Sequence, residues 1–589
     1  MVILTAFTLA RFDLADVPVR AGGLMWAVLI AVVIQTSLGA VLVYRGQYRY
    51  GSRDEIVTLA MIGGFIAIAL TIYTVLLPSR PIPLSVALFS FTGAVGLMAA
   101  VRFFALRQGS NQTRKPNGPR TLILGAGEGG ALAIEMMQTD RNNHYVPVAL
   151  LDDDPHKRFL RIGGVRVMGT LDDLAKVAER TNADTALLAI PSASSEVVLR
   201  TSRAAREAGL QFRTMPSTSA LMTVAPEEAR REHHLTTQAM FRKVSLEDLI
   251  GRNPVDTDLH AISAYLDGKV VLVTGAGGSI GSQLAREISQ FAPGRLVLTD
   301  RDESGLHTTQ LSIEGTALLD SEDVVLCDLR VPGIVDELIA TIQPDVVFHA
   351  AALKHLPLLE RFPYEALSAN VHVTYDLARA CLRHDVARFV HISTDKAADP
   401  ISVLGYSKRA AERLVSGVAN GSGKHYISVR FGNVLGSRGS ALRTWSAQVA
   451  TNRPLTITDP RMYRYFMSIN EACQLVLQAA TIGGPGQALV LDMGDAVHVE
   501  TIARRYAELN GAVNVDVVYT GVRPGEKLRE SRLGSVESDE RPHHELITHV
   551  QVPPLQPRQL TDLAELRSRT GLLPAEDVLA WLKRVGTET

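Results

Sequence analysis

The sequence predicts an α/β protein in which an apolar front leads into two doubly wound parallel-sheet domains. Three uncharged runs of 20, 22 and 20 residues come first, and two strand–glycine turn–helix units follow, TLILGAGEGGALAIEMM from Thr121 and KVVLVTGAGGSIGSQLAREI from Lys269. Strands that alternate with helical patterns build parallel sheets, because a parallel neighbour is reached only through a crossover, usually a helix. A length of 589 residues leaves room for about four units of ~100–200 residues.

Composition removes whole classes of function. Lys+Arg total 60 and Asp+Glu 61, a net charge of −1, so the basic excess of a nucleic-acid binder is missing and no nucleic-acid partner is expected. Apolar residues make up 46% and charged residues 21%, which excludes wholesale disorder. Three scattered cysteines, Cys327, Cys381 and Cys473, are too few for a disulfide scaffold or a Cys-rich zinc site, and no metal is expected.

The mean hydropathy of +0.11 is concentrated at the front. Runs 24–43, 56–77 and 82–101 are each long enough to cross ~30 Å of hydrocarbon as a helix, and they lack the polar stripe of a soluble helix. They predict a transmembrane region over 1–107, with the bilayer as a partner. Arg45, Arg49 and Arg53 follow the first run, and Arg102, Arg107, Arg114, Lys115 and Arg120 follow the third, against Arg80 alone between the second and third. Positive-inside counting then places everything after 101 on the cytoplasmic side. The apolar residues 1–10 are too short to span and read as the remnant of a fourth span whose beginning is missing. A polar stretch, 108–119, is a linker.

The first unit, 120–240, sets Gly125, Gly127 and Gly130 in GxGxxG spacing after a strand, with Asp152 ending the next strand 27 residues after Gly125. The glycines permit a tight turn and close backbone approach, and the helix N-terminus offers free N–H groups to a phosphate. No acid–base constellation accompanies them, so the unit is expected to be a non-catalytic Rossmann-like domain, and its residues leave dinucleotide binding open.

A connector, 241–268, leads to the second unit, 269–548, where the signal is sharper. Gly275, Gly278 and Gly281 follow a buried strand in GxxGxxG spacing, with Ser279 and Ile280 at the turn. RLVLTD ends at Asp300, 25 residues after Gly275, where a carboxylate suits an adenosine ribose. Asp328 follows the third strand as an adenine contact, and Ala350 ends the strand DVVFHA. Arg301 beside Asp300 leaves NAD versus NADP undecided, since an arginine accepts a 2′-phosphate. Reactive residues gather at later strand ends: Lys354 and His355, then Ser393, Thr394, Asp395 and Lys396, with Lys408 in the next helix. In an open parallel sheet these ends face the bound cofactor.

Those stretches carry a resemblance. TGAGGSIGSQL, HAAALKHLPLLE, STDKAADP, LGYSKRAAE, VRFGNVLGSRGS, MYRYFMSINEA and RPGEKL together resemble the extended short-chain dehydrogenase/reductases, and more narrowly the membrane-bound nucleotide-sugar 4,6-dehydratases of the CapD-like polysaccharide biosynthesis family. Members carry about four spans, a non-catalytic Rossmann-like domain and then the catalytic one. The resemblance implies a protein of the bacterial inner membrane, multi-pass, with cytoplasmic catalytic domains and homo-oligomeric assembly. It implies NAD(P)+ tightly bound and regenerated each turnover, and a UDP-sugar substrate, most plausibly UDP-N-acetylglucosamine. By resemblance Asp395 is the acid, Lys396 the base, Thr394 the partner of the C4 oxygen and Lys408 the holder of the nicotinamide ribose. Lys354, Asn433, Arg523 and Glu526 are the implied substrate contacts, and Arg438 and Arg464 stand beside them in the same motifs.

One departure stands out. Where the wider superfamily has a tyrosine four residues before its lysine, this chain has Leu404 before Lys408, and Tyr406 is turned about 200° away along a helix. Large membrane-bound members commonly hold methionine there. A lysine base must lose its proton near neutrality, and Lys408, the oxidised nicotinamide and desolvation are expected to push the pKa of Lys396 down. A C4 or C5 epimerase and a non-enzymatic scaffold or sensor are the competing readings. In the tail, 549–589, Val578, Leu579, Trp581 and Leu582 share one helical face that is expected to dock on the sheet.

Overall fold

The computed structural model describes residues 118–139, 145–190, 193–215, 241–242, 255, 257–512, 514–567 and 576–587, with six isolated positions before residue 118. The chain divides into two compact units, Met1–Asn117 and Gly118–Thr589.

The multi-pass membrane localisation expected from the front is corrected here. Among the described residues no helix is long and apolar enough to cross a membrane. The longest of them, Val403–Ala419, has 17 residues against the ~20 that a span requires. Runs 24–43, 56–77 and 82–101 and residues 1–10 lie outside the described residues, those six positions aside. An uncharged run reports only a preference for leaving water, which burial of any kind satisfies.

Within Gly118–Thr589 the first sheet has six strands: β1 (Arg120–Leu124), β2 (Val146–Leu151), β3 (Arg161–Ile162), β4 (Val165–Gly169), β5 (Thr185–Leu188) and β6 (Gln211–Thr214). Their order is β3-β4-β2-β1-β5-β6, parallel except for the β3–β4 hairpin. Residues 121–124 of β1 and all of β5 are buried, as strands covered on both faces require.

The second sheet has eight: β7 (Val270–Thr274), β8 (Arg295–Asp300), β9 (Val324–Leu326), β10 (Val346–His349), β11 (Arg388–Ile392), β12 (His425–Arg430), β13 (Gln487–Leu491) and β14 (Ile547–Gln551). The order is β14-β13-β12-β11-β10-β7-β8-β9, parallel until β14 closes the edge antiparallel to β13. β14 runs across the expected boundary at 548.

The two sheets are joined by packing. Val198 and Ala205 of the helix Ser195–Glu207 share one apolar cluster with Ile502, Ala503 and Ala507 of the helix Val499–Leu509 and with Trp445 and Leu455. Arg203 pairs with Glu508 at 2.6 Å, and Arg206 donates to Leu509 O at 3.1 Å. The first domain is therefore seated on the lobe that follows β12.

The tail helix Glu576–Thr587 docks elsewhere than expected. Val578, Trp581, Leu582 and Val585 bury against Leu404, Tyr406, Ala410 and Leu414 of the helix Val403–Ala419. It covers a helix and not the sheet, whose edge is already taken by β14. Beside this layer lies an ion network centred on the buried Arg430 and Glu412. Arg430 donates to both oxygens of Glu412 at 2.7 and 2.8 Å and to Glu537 at 2.7 Å, and Arg409 reaches Glu412 at 3.2 Å and Glu537 at 3.0 Å. Arg413 donates to Val585 O at 2.8 Å, tying in the chain's last helix.

Candidate functional site

From β7 the chain steps outward to β8 and β9, then returns to place β10 on the other side of β7. Such a switch point opens a crevice beyond the strands' carboxyl ends. The register aligns Thr299, Thr274, His349 and His391 across β8, β7, β10 and β11, so Asp300, Gly275, Ala350 and Ile392 form the next row at that edge. A cavity of about 240 Å³ sits there, lined by Gly275, Gly278, Asp300, Arg301, Asp328 and Ala350, all named from the sequence, and by Arg330 and Arg438.

Gly275 has φ +70°, and a Cβ on it would stand 2.5 Å from Ala351 N. A Cβ on Gly281 would stand 2.1 Å from Gly275 O, so only glycine lets the helix Ser279–Ser289 start this close to the turn. Asp300 accepts from Gly277 N at 2.9 Å and Asp302 N at 3.0 Å, one through each oxygen. A carboxylate has about four acceptor positions, so both oxygens retain room for a ribose hydroxyl. Arg330 grips Asp328 at 2.6 Å and holds that carboxyl below the usual carboxylate range. The residues at this crevice therefore fit a dinucleotide: a cradle closed to any Cβ, a strand-end acid and clear space.

Two residues named with the cofactor site also make contacts within the protein. Ser279 Oγ accepts from Arg438 N at 2.8 Å, while the guanidinium of Arg438 pairs with Asp302 at 2.7 Å, which straps the loop after β12 across the crevice mouth. Ile280 packs into the main core.

The chemistry-bearing residues cluster one strand along. Beyond β11, Asp395 is fully buried. Its Oδ1 accepts from Thr394 Oγ1 at 2.9 Å and from Lys396 Nζ at 2.9 Å, whereas its Oδ2 is buried and has no hydrogen-bond partner among the described residues. Gly432 makes room for that oxygen, since a Cβ there would meet it at 3.1 Å and Met493 Sδ at 2.7 Å. Lys396 also lies 3.8 Å from Glu530 Oε1.

In the protein alone the shift of Lys396 runs opposite to the one expected with nicotinamide and substrate bound. Burial does depress it, but Asp395 and then Glu530 outweigh burial, with Arg464 opposing them, and the net shift is upward. Lys408 does not face it. That amine donates to Ile392 O at 2.8 Å and lies 3.4 Å from His391 Nε2, and burial lowers it to about 8. Leu404 and Tyr406 both belong to the cluster under the tail helix, where a Cβ on Gly586 would touch the Tyr406 ring at 2.7 Å. Tyr406 is therefore a packing residue, and neither supplies a proton to the site.

On the substrate side, Lys354 Nζ lies 3.4 Å from Ser437 Oγ, and Asn433 is half-buried in a short strand with its N–H on Tyr465 O at 3.0 Å. Glu526 accepts from Arg523 N at 3.3 Å and lies 3.6 Å from Arg464, so its carboxylate shapes its own loop. Lys527 anchors that loop to Ala398 O at 3.0 Å, beside the Asp395 turn. Glu530 escaped the sequence reading because KLRES looks like a solvated charged run, and only the fold brings it to Lys396.

Comparison with known proteins shows the family of the chain. Residues 271–552 match a family model described as polysaccharide biosynthesis protein, and residues 43–216 match one described as CoA-binding domain. The chain is 36% identical over 422 residues to the capsular polysaccharide biosynthesis protein CapD of Staphylococcus aureus, covering 71% of this chain and 69% of that one. It is 32% identical over 279 residues to a UDP-glucose 4-epimerase of Rickettsia felis, covering 46% and 79%. The X-ray structure of Pen from Bacillus thuringiensis is 28% identical with TM-score 0.45, covering 49% of this chain and 90% of that one.

Proposed function

Because the chain belongs to the CapD-type family of polysaccharide biosynthesis proteins, we propose that this nucleotide-sugar-modifying enzyme is a 4,6-dehydratase. It converts UDP-N-acetylglucosamine into a UDP-4-keto-6-deoxy-N-acetylhexosamine. The observation that carries the reading is the Asp395–Lys396 pair, a fully buried carboxylate and a half-buried amine hydrogen-bonded at 2.9 Å just past the end of β11. Loss of water from adjacent carbons needs one group that gives a proton and one that takes it, side by side.

NAD(P)+, when bound, would supply the reversible hydride chemistry that oxidation at C4 and reduction at C6 need. The Gly275–Gly281 turn, Asp300, Arg301, Asp328 and Lys408 are the residues to hold it. Thr394 hydrogen-bonds the C4 oxygen. Lys396 removes the C5 proton, and Asp395 protonates the departing C6 oxygen so that it leaves as water. At rest the pair is an ammonium and a carboxylate, the wrong charge state for both tasks. One proton moved along the existing hydrogen bond gives a neutral acid and a free amine, and substrate binding favours that state by excluding water from around two charges. Asn433 and Arg523 take the diphosphate, a task for which the planar guanidinium suits Arg523. Homo-oligomeric assembly rests on family resemblance alone.

The epimerase relative supports a second reading, inversion at C4 or C5 without elimination. A single incubation of the full chain with UDP-N-acetylglucosamine and NAD+ or NADP+, followed by product mass, separates the two. Loss of one water is expected; an isobaric product would establish the epimerase, and an unchanged substrate would sink both.

A further inference from the structure

Lys396 stands between two carboxylates. Asp395 Oδ1 lies at 2.9 Å and Glu530 Oε1 at 3.8 Å. Glu530 reaches this place from the segment after RPGEKL and is buried, with 8% of its surface exposed. Two acids around one base leave an excess of buried negative charge. The remaining oxygens, Asp395 Oδ2 and Glu530 Oε2, are both buried without a hydrogen-bond partner among the described residues. Buried polar atoms left bare are rare, and a charged pair of them around one amine calls for a use.

We propose that Glu530 is a positioning residue for Lys396, a fixed negative charge that receives the ammonium as it forms and sets the pH at which the amine becomes a base. The inference rests on the dehydratase reading, in which Lys396 takes the C5 proton. As the C5–H bond breaks, its electron pair stays on the sugar and the proton goes to Nζ. At that moment Asp395 is the protonated acid and carries no charge, so only Glu530 faces the growing positive charge with a formed negative one. Preorganised charge aimed at charge that develops lowers a barrier without reorganisation. The charged groups acting on Lys396 are Asp395, Glu530 and, in opposition, Arg464, which is held 3.6 Å from Glu526.

The test uses the full chain and three substitutions: Glu530→Gln and Glu530→Ala remove the charge, and Glu530→Asp keeps it. Acetic anhydride labelling of Lys396, read by peptide mass across a pH series, reports its titration directly. The midpoint is expected to fall by about one pH unit in Glu530→Gln and Glu530→Ala and to stay near wild type in Glu530→Asp. The acid limb of solvent-deuterium incorporation at C5 should fall with it, and the plateau rate should drop ~10-fold as the base weakens. A midpoint unmoved in both charge-removing variants, or moved equally in Glu530→Asp, overturns the proposal. A wild-type chain that titrates as described yet releases no water would sink the dehydratase reading and leave the hold of Glu530 on Lys396 standing.

Discussion

At the first glycine turn the carboxylate of Asp152 takes the N–H groups of Ala126 and Asp154 at 2.6 and 2.9 Å; at the second, Asp300 takes those of Gly277 and Asp302 at 2.9 and 3.0 Å. A Cβ on Gly130 or Gly281 would stand 2.1 Å from the carbonyl oxygen of Gly125 or Gly275. The turns share this clamp despite different glycine spacing, and what lies opposite them differs. Ile190 Cγ1 stands 2.6 Å from where a Cβ of Gly125 would be, whereas Gly275 faces the backbone of Ala350 and Ala351. Lys157 reaches Asp152 at 3.1 Å, and Glu128 opens the first helix where a phosphate would need to approach. Glycine spacing with a strand-end acid thus builds the strand–helix crossing, while readiness for a ligand depends on clearance and on the chemistry at the neighbouring strand ends.

The sharpest way to break this comparison is to remove the chemistry that only the second domain has. Lys396→Ala should abolish deuterium incorporation at C5, and Asp395→Asn should cut water release by ~10³-fold, about 4 kcal/mol of barrier. Wild-type rates in either variant would show that the pair is ornamental to turnover.

Lys408 tests burial. Its amine titrates near 8 in the folded chain and near 10.5 unfolded. Below pH 8 both states hold the proton and the folded state bears the cost of burying it. Between 8 and 10.5 only the unfolded chain holds it, so stability gains as pH rises. The stability of wild type minus Lys408→Met, from denaturant melts, should climb by roughly 3 kcal/mol across that window. A flat difference would mean that Lys408 is not desolvated.

Transplanting the first domain's obstruction comes next. Ala351→Ile, at the register position that Ile190 holds opposite the first turn, should weaken cofactor binding ~100-fold, about 2.7 kcal/mol, with a smaller effect on the melt. Binding unchanged by calorimetry would remove clearance as the explanation. The shared geometry predicts a match: Gly130→Ala and Gly281→Ala should each cost ~1–3 kcal/mol of stability, with cofactor binding lost only in the second. The least effect belongs to Lys157→Ala, which deletes a partly exposed ion pair and should cost under ~1 kcal/mol.

Both parallel sheets were legible in the sequence, because period, glycine spacing and strand-end acids are local signals. The residues at the crevice were legible for the same reason, and so was the Asp395–Lys396 pair. Contacts between distant segments were not. Glu530 lies in a charge-alternating stretch that only the fold folds inward, and it adds to the upward push that Asp395 exerts on Lys396. The tail helix showed its apolar face but not its partner, since β14, itself unseen, had already closed the sheet. Hydropathy at the front spoke of leaving water, and the described helices give no span to match it.

The Arg430 network has a consequence for synthesis. A ribosome completes β12 well before it reaches Glu537, and Arg430 then has only one of its two carboxylates. A desolvated guanidinium half-neutralised is costly, so the strand beside the Asp395 turn stays unsettled until the later segment emerges. A chain cut before Glu537 should therefore be cleaved at β12 by added protease faster than the full chain.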